Sequence, residues 1–456
     1  MAHVLLEDIV KAAGGETLYG DRPEFTGLSI DSRTIKDGEL FVALRGERFD
    51  GHDFLDDALK AGAGALVDHP PAGTFAGKTI ILVKDTLAAL QDIARHLRMS
   101  GHATVVGVTG TNGKTTTKEL LASVLGRRHR ILKTEGNLNN HIGLPLCISR
   151  MKGDESVMVL EMGSNAEGDI ALLCDIARPD YAVVTNVGPA HLEGFGSIET
   201  VRKTDLEILG HVKAASMNAD DTFLMEGVKG FGGKVITYGM KNRADVHAED
   251  VELGERGSRF VIRFPDGGRL PVNLRLSGRF NILNALAAAS LADELGVDRG
   301  EIKGGLECFT GVPMRLEMKE IAGALVISDV YNANPASMEG AVGELMRLKR
   351  KRTIAVLGDM FELGGYSEEA HRELVGLLSR CGLDILIAVG PEMKRAGAGF
   401  RGACYRADDA ASAGPILSEV LSEGDTVLIK GSRGMRMEKV LQAGGLPREE
   451  EKTNAL

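Results

Sequence analysis

Residues 104–117 read TVVGVTGTNGKTTT, in which β-branched residues lead through glycines into a Gly-Lys-Thr triplet. The β-branched part predicts a strand, and the residues after Gly113 predict the start of a helix. Glycines in the turn let backbone N–H groups point at phosphate oxygens, and the helix N-terminus adds positive potential. We therefore predict a nucleotide phosphate-binding loop made of Gly110, Thr111, Asn112, Gly113, Lys114, Thr115 and Thr116.

Two side chains of this loop suit specific tasks. Lys114 can reach the terminal phosphates of a nucleotide, and the Thr115 hydroxyl can bind Mg²⁺. The loop departs from the strict Walker pattern, because Val108 stands where that pattern has glycine. The alternative is a glycine-rich turn that binds nothing, but the Gly-Lys-Thr triplet after a β-branched strand favours phosphate binding.

The composition is typical of a globular protein of about two to four domains. The 456 residues are 43% apolar and 26% charged, and the net charge of −10 argues against a nucleic-acid partner. The five cysteines include no C-x-x-C pair, so neither a disulfide framework nor a zinc site is predicted. Because we find neither a signal peptide nor an apolar run of membrane-spanning length, we expect a cytoplasmic protein without membrane insertion.

Alternating strand and helix patterns predict an α/β protein of three domains. Residues 1–100 form a small α/β domain that precedes the nucleotide loop and is therefore expected to hold a substrate. Residues 101–312 carry the loop, with buried strands that predict a parallel sheet. Residues 313–456 predict a Rossmann-like, doubly wound sheet, and the polar tail from about Gly444 is expected to be frayed. Strands are predicted at 25–33, 40–44, 65–67, 79–83, 157–162, 181–187, 324–328, 353–357, 385–389 and 426–430.

Two polar residues follow neighbouring strands of the predicted central sheet, where ligands of parallel sheets gather. Glu161 ends one strand and suits Mg²⁺, which prefers oxygen ligands. His191 lies in the loop after the next strand and can bind the ion or a phosphate oxygen. Either residue alone could be a helix cap or a surface side chain. Because both follow strands at the same edge of the predicted sheet, a binding site for a cation or phosphate is favoured.

Three asparagine-rich segments are further candidates for ligand contacts. Their amides suit sugar, phosphate or peptide groups, but the same residues also form turns, and the spacing leaves both possibilities open. Asn281 and Asn284 share one helix face, and an N-cap explains only one of them. The segments are 134–145, 276–284 and 328–338.

Along nearly its whole length the chain resembles the Mur ligases of peptidoglycan synthesis. The phosphate loop GTNGKTT is common to that superfamily, and more specific motifs surround it. They are DSR with FVALRGERFDGHDF (31–33 and 41–54), EGNLNNHIGLP (135–145), LEMG (160–163) and TNVGPAHLEGFGS (185–197). The segments DVYNANPASMEGAV (329–342) and KGSRGMRME (430–438) resemble the branch that adds D-Ala-D-Ala.

The resemblance implies a domain for each substrate: a UDP-sugar, ATP and an incoming dipeptide. The implied reaction joins UDP-MurNAc-tripeptide to D-Ala-D-Ala and releases ADP and phosphate. The tripeptide carboxylate would attack the γ-phosphate to form an acyl phosphate, which the dipeptide amine then attacks. ATP and Mg²⁺ are the implied cofactors, and a monomer is expected.

The resemblance also assigns roles to individual residues. Lys114, His191 and Asp205 are the implied catalytic residues, and Thr115, Glu161 and His191 match the two Mg²⁺ sites. Asn281, Arg315 and Asp329 match positions that hold the nucleotide. The implied substrate contacts are Ser32 for uridine, Asn139, Asn140 and Ser164 for the sugar-peptide, and Tyr331, Asn332 and Asn334 for the dipeptide.

One position departs from the family pattern, which has a carbamylated lysine in the helix after HLEGFGS. Counting from Ser197, that lysine falls on Asp205, and Lys203 is two residues away on another helix face. An aspartate carries a carboxylate without reacting with carbon dioxide, as a lysine must to form a carbamate. Its side chain is shorter than a carbamylated lysine by roughly 5 Å. We hypothesise that Asp205 replaces the carbamate through a water or a helix shift, and the alternative is an exposed helix aspartate.

Two alternative functions stay open at this point. A related ligase of the superfamily would add another amino acid or extend folate with glutamate, although the DSR motif at 31–33 argues against the folate branch. An ATP-binding partner protein without ligase activity would explain the missing lysine, but Lys114, Glu161 and His191 argue against it. The motifs leave the third residue of the tripeptide undecided between diaminopimelate and lysine.

Overall fold

Three main β-sheets with packed helices organise the chain into a three-domain α/β architecture, as predicted. The computed structural model describes residues 4–73 and 75–445. The tail predicted to be frayed lies, beyond Gly445, outside the described residues. The predicted boundaries at 100/101 and 312/313 fall between the sheets and stay predictions.

The N-terminal domain has a sheet of five short strands, of which four are parallel neighbours and one edge strand is antiparallel, and a separate two-stranded sheet. Its elements are β1 (Val4–Leu5), α1 (Leu6–Ala13), β2 (Glu16–Tyr19), β3 (Glu24–Phe25), β4 (Leu28–Ser29), β5 (Leu40–Val42), a 3₁₀ helix (Gly51–Phe54), α2 (Leu55–Ala61), β6 (Gly64–Val67), β7 (Thr79–Leu82) and α3 (Thr86–Ser100). The sheet order is β2-β7-β6-β5-β4. The strand predicted over 25–33 is two strands, because β3 pairs with β1 whereas β4 pairs with β5.

The central sheet has nine strands and carries the phosphate loop near its middle. Its elements are β8 (Thr104–Thr109), α4 (Lys114–Leu125), β9 (Ile131–Lys133), α5 (Gly143–Ile148), β10 (Val157–Glu161), α6 (Asp169–Ala177), β11 (Tyr181–Val184), α7 (Leu192–Phe195), α8 (Ile198–Asp205), a 3₁₀ helix (Leu206–Gly210), β12 (Ala214–Asn218), α9 (Thr222–Gly227), β13 (Lys234–Gly239), β14 (Val246–Leu253), β15 (Ser258–Arg263), β16 (Arg269–Leu274), α10 (Arg279–Glu294) and α11 (Arg299–Cys308). The order is β16-β15-β14-β13-β12-β11-β8-β10-β9, and the pairings from β9 to β14 are parallel.

The strands β14, β15 and β16 are antiparallel, so the prediction of a wholly parallel central sheet was wrong for this edge. Buried and exposed residues alternate along β15 and β16, as expected for an antiparallel sheet with one solvated face. The central strand β8 is instead buried on both faces. Val106 and Val108 pack with residues of α4 and α10, and Val105 packs with residues of α5 and α6.

The C-terminal sheet has six strands, and the four predicted ones are confirmed at its centre. Its elements are β17 (Glu317–Ile321), β18 (Ala324–Asp329), α12 (Pro335–Arg347), β19 (Thr353–Gly358), a 3₁₀ helix (Gly364–Tyr366), α13 (Ser367–Cys381), β20 (Ile385–Val389), α14 (Pro391–Gly397), β21 (Ala403–Ala407), α15 (Ala410–Val420), β22 (Thr426–Lys430), a 3₁₀ helix (Arg433–Met435) and α16 (Lys439–Ala443). The order is β17-β18-β22-β19-β20-β21, and only the edge strand β17 is antiparallel. Across the described ranges, every helix is too short or too polar to cross a bilayer.

Candidate active site

The predicted phosphate loop lies between the end of β8 and the start of α4, and two of its positions accept only glycine. Gly113 has φ +84°, and a Cβ there would lie 2.4 Å from Asn284 Oδ1. Gly110 has φ +119°, and a Cβ there would lie 2.3 Å from Thr185 Oγ1. The loop backbone therefore packs closely against the polar side chains below it, a conformation that side chains would block.

Asn186, just beyond β11, holds the loop by hydrogen bonds. Its carbonyl accepts the Thr111 N–H at 2.8 Å, its Oδ1 accepts the Asn112 N–H at 3.1 Å, and its Nδ2 donates to the Asn112 carbonyl at 2.9 Å. The sequence placed Asn186 within the predicted strand 181–187 and gave it no role in the loop. Its role in fixing the loop follows from the parallel pairing of β8 and β11.

Lys114 bends back onto the loop. Its Nζ donates to the Gly110 and Thr111 carbonyls at 2.5 and 3.2 Å. Burial lowers the pKa of the Lys114 ammonium, while the carboxylates of Asp205 and Glu161 act in the opposite direction. A phosphate would offer this ammonium a charge-assisted hydrogen bond, which is stronger than a bond to a neutral carbonyl.

Asp205 lies buried beneath the loop, so the alternative of an exposed helix aspartate is wrong. Its Oδ1 accepts the Thr109 hydroxyl at 2.9 Å. Burial raises the pKa of the Asp205 carboxyl to about 6, although Lys114, the Thr109 hydroxyl and the Gly110 N–H act to lower it. Asp205 is absent from the cleft wall, and its contacts are with the loop. Its replacement of a carbamate stays a hypothesis.

Glu161 offers an unused carboxylate oxygen. Its Oε1 accepts the Asn139 Nδ2 at 2.8 Å, whereas its Oε2 is buried without a hydrogen-bond partner. Leaving a carboxylate oxygen buried and unpartnered is costly. Thr115, whose hydroxyl is a second oxygen donor, lines the same cleft. This donor set fits a hard cation such as Mg²⁺.

Lys118, which the sequence did not single out, supports Glu161 from α4. This lysine is 1% exposed, and its Nζ donates to the Thr134 carbonyl at 2.6 Å. The Thr134 hydroxyl in turn accepts the Glu161 N–H at 2.9 Å. The chain Lys118–Thr134–Glu161 thus links the loop helix to the candidate metal ligand.

Replacing Glu161 by glutamine is expected to weaken cation binding at least about tenfold, since the amide lacks the charge of the unused oxygen. Calorimetric titration of Mn²⁺ into the protein with a nucleoside diphosphate present measures the effect. The matched control is Glu167→Gln, because Glu167 is exposed and paired with Lys203. An E161Q protein that binds Mn²⁺ as tightly as the wild type would contradict the assignment.

One cleft of about 980 Å³ brings the candidate residues together between the central and C-terminal domains. Every residue predicted for the site lines it except Gly110, Asp205 and Ser32. Gly110 is the first residue of the loop, Asp205 lies beneath the loop, and Ser32 lies in the turn after β4 of the N-terminal domain. The predicted uridine contact is therefore separate from this cleft.

The third domain contributes a cation and an aromatic ring to the cleft. The Arg315 guanidinium lies 4.1 Å from the centre of the Tyr331 ring, and its NH2 donates to Thr115 Oγ1 at 2.9 Å. Its Nε is buried without a partner. Asp329 is 2.5 Å from Lys430 Nζ, which also donates to the Asn332 carbonyl at 2.9 Å. Lys430 is a cleft residue to which the motifs gave no role.

Several predicted amides have structural partners. Asn140 Oδ1 accepts the N–H groups of Ile142 and Gly143 in the turn at the start of α5. Asn334 caps α12 and exchanges amide hydrogen bonds with Asn112 at 2.9 and 3.3 Å. Asn334 therefore joins the phosphate loop to the third domain, and its dipeptide contact stays a prediction.

Asn281 and Asn284 do share a face of α10, as predicted. Asn281 Nδ2 donates to the Ser277 carbonyl at 2.7 Å, and Asn284 Oδ1 accepts the Thr117 hydroxyl at 3.2 Å. The pair packs α10 against the loop helix, and both residues line the cleft. His191, directly before α7, has φ +52° and its Nδ1 lies 2.7 Å from Glu362 Oε2. That hydrogen bond lowers the pKa of the Glu362 carboxyl.

A second group of metal-ligand side chains lies in the N-terminal domain. His52, Asp68 and His69 place one ligand atom each within 4.8 Å of one another. The Arg45 guanidinium donates to Asp68 Oδ1 at 3.0 Å and lies 3.3 Å from His69 Nδ1. The cationic guanidinium thus already neutralises this group, which is better explained as a salt-bridged loop than as a metal site.

Three stretches of the chain match the models of one protein family. Residues 24–98 match the Mur ligase family catalytic domain, residues 108–292 the Mur ligase middle domain, and residues 314–433 the Mur ligase, glutamate ligase domain. Together these stretches cover most of the sequence, and each contains strands of a different sheet.

Individual proteins resemble the chain over nearly its full length. The UDP-N-acetylmuramoyl-tripeptide–D-alanyl-D-alanine ligase of Bacillus subtilis is 36% identical, with 91% of this chain and 92% of the relative covered. A crystal structure of MurF from Acinetobacter baumannii has a TM-score of 0.90 at 31% identity, covering 97% and 98% of the two chains. MurF ligase from Thermotoga maritima in complex with ADP has a TM-score of 0.82 at 34% identity, covering 91% and 96%.

Proposed function

The chain belongs to the Mur ligase family, and we infer that it is the ATP-dependent ligase that joins D-Ala-D-Ala to UDP-MurNAc-tripeptide in peptidoglycan precursor synthesis. The observation that carries this inference is the cleft that the phosphate loop and the third domain line together. A kinase would need one acceptor beside its nucleotide. Here residues of two domains face the loop, which suits a carboxylate that is activated at the γ-phosphate and an amine that must then reach the same carboxyl carbon.

The chemistry that we propose has two steps. A carboxylate oxygen of the tripeptide attacks the γ-phosphorus of ATP, the bond to ADP breaks, and an acyl phosphate forms. The amine of D-Ala-D-Ala then attacks the acyl carbon, phosphate leaves, and the amine loses a proton. Both steps depend on positioning and on neutralising negative charge, so no covalent protein nucleophile is required.

The residues of this chain divide those tasks among themselves. Lys114 and Arg315 bring positive charge to the phosphates, and Thr115, Glu161 and His191 would hold Mg²⁺. When bound, that cation would neutralise the charge that develops on the transferring phosphate. Tyr331 and Asn332, on the third domain, are proposed to receive the dipeptide.

We further propose a cellular compartment and an oligomeric state for the protein. Its proposed substrates are ATP and a nucleotide-linked sugar, so we propose a cytoplasmic enzyme. We also propose that it works as a monomer.

The substrate assignment predicts the outcome of an ADP-release screen. With UDP-MurNAc-tripeptide present, we expect release with D-Ala-D-Ala and only background with diaminopimelate, lysine or glutamate. Mass spectrometry of the product should show the tripeptide extended by two alanines. Comparing tripeptides that end in diaminopimelate or lysine settles the third residue. Release with glutamate alone would instead support the related amino-acid ligases.

A further inference from the structure

His191 is contacted from the third domain by a residue to which the motifs assign no role. Glu362 Oε2 lies 2.7 Å from His191 Nδ1. The Glu362 carbonyl also accepts the Glu193 N–H at 3.1 Å, so backbone and side chain both join the two domains. The contact therefore links a candidate metal ligand to the loop between β19 and α13.

Both partners have an unusual backbone conformation. His191 has φ +52° and Glu362 has φ +64°, in the left-handed region that non-glycine residues rarely adopt. Such conformations cost free energy and persist where surrounding contacts hold them, often at functional sites. Two of them therefore meet across one domain interface.

The segment that carries Glu362 is firmly attached to its own domain. Met360 and Leu363 on either side are buried. The Met360 N–H donates to His371 Nε2 at 2.9 Å, and the Phe361 N–H donates to Ser432 Oγ at 2.8 Å. The backbone around Glu362 is thus held by the third domain, while its side chain contacts the central domain. The position of Glu362 relative to His191 therefore depends on how the third domain docks.

We propose that Glu362 is a positioning residue that orients His191 across the domain interface. By accepting the Nδ1–H, its carboxylate selects the tautomer whose Nε2 lone pair is free for a ligand in the cleft. Because Glu362 belongs to the third domain, His191 is set in this state only when that domain is docked. The proposal rests on the proposed function, which gives His191 its ligand.

The tautomer of His191 tests the proposal without substrates. In protein with ¹⁵N-labelled histidine, NMR should show the Nδ1–H form of His191, with its signal assigned by comparison with His191→Gln. Glu362→Ala should lose this preference, whereas Glu362→Gln, whose amide oxygen still accepts a hydrogen bond from Nδ1–H, should keep it. The Mg²⁺ concentration for half-maximal ADP release should rise about tenfold or more in E362A, with a smaller change in kcat.

The matched control is Glu369→Ala, since Glu369 is 55% exposed against 57% for Glu362 and pairs with Arg372 inside its own domain. E369A should behave as the wild type in both measurements. An unchanged His191 tautomer in E362A would overturn the proposal, even if activity fell. Wild-type protein that releases no ADP would refute the proposed function instead, while the tautomer result would stand.

Discussion

Replacing Lys114 by alanine is expected to lower kcat/KM for ADP release by about 10²–10³-fold or more. The ammonium is the loop's own cation, and removing one preorganised stabilising group at a reacting centre has effects of this size. Its Nζ donates to the Gly110 and Thr111 carbonyls of the loop, so it needs little rearrangement to meet a phosphate. A coupled assay with saturating D-Ala-D-Ala measures the loss.

The control for Lys114 is Lys203→Ala. Lys203 is exposed and paired with Glu167, so its removal should leave ADP release unchanged, with or without bicarbonate. This variant also tests whether the nearby lysine supplies a carbamate in place of the one missing from the family position. K114A with near-wild-type kcat/KM would contradict the phosphate role of the loop.

Replacing Asp205 by asparagine is expected to cost about 10²-fold in kcat/KM, the second largest effect. The amide oxygen can still accept the Thr109 hydroxyl, but the negative charge that attracts Lys114 disappears. If the Asp205 carboxylate serves in place of a carbamate, the wild type should work equally well in buffer free of carbon dioxide. D205N with wild-type activity would refute the hypothesis.

The difference in free energy of unfolding between the wild type and D205N is also expected to depend on pH. Burial raises the pKa of Asp205 to about 6, above its ordinary value of 3.8, so the folded protein binds this proton more tightly than the unfolded chain. The resulting stabilisation is complete below pH 3.8 and is lost as the pH rises through about 6. Between pH 8 and pH 5 the wild type should therefore gain about 1 kcal/mol in free energy of unfolding relative to D205N. Urea denaturation of both proteins measures this difference, and a pH-independent difference would contradict it.

Much of the fold could be predicted because its signals are local. The strands at 324–328 and 353–357 are continuous apolar runs, and β18 and β19 appear there within one residue. The antiparallel edge β14–β16 was missed because its strands alternate polar and apolar residues and carry no loop motif. The single strand predicted at 25–33 failed because the hydrophobic pattern does not tell which sheet a strand joins.

Within the candidate site, the sequence predicted which residues line the cleft better than it predicted their hydrogen-bond partners. Glu161, at the end of β10, and Thr115, in the first turn of the helix after β8, do line one cleft, because the carboxyl ends of parallel strands share one edge. Asn334 was predicted as a dipeptide contact, yet its amide caps α12 and meets Asn112. Asn186, Lys118 and Glu362 were missed, since each acts on a neighbour that is far away in the chain.

The sequence by itself determined the phosphate loop, because glycines of positive φ, a β-branched strand and a helix start are all encoded within residues 104–117. It also determined the family, whose motifs are contiguous. Only the tertiary structure decided that Asp205 lies under the loop, that Asn334 bonds Asn112 and that Glu362 reaches His191. The first two contacts join residues 96 and 222 positions apart, and such pairs form only when sheets and domains dock.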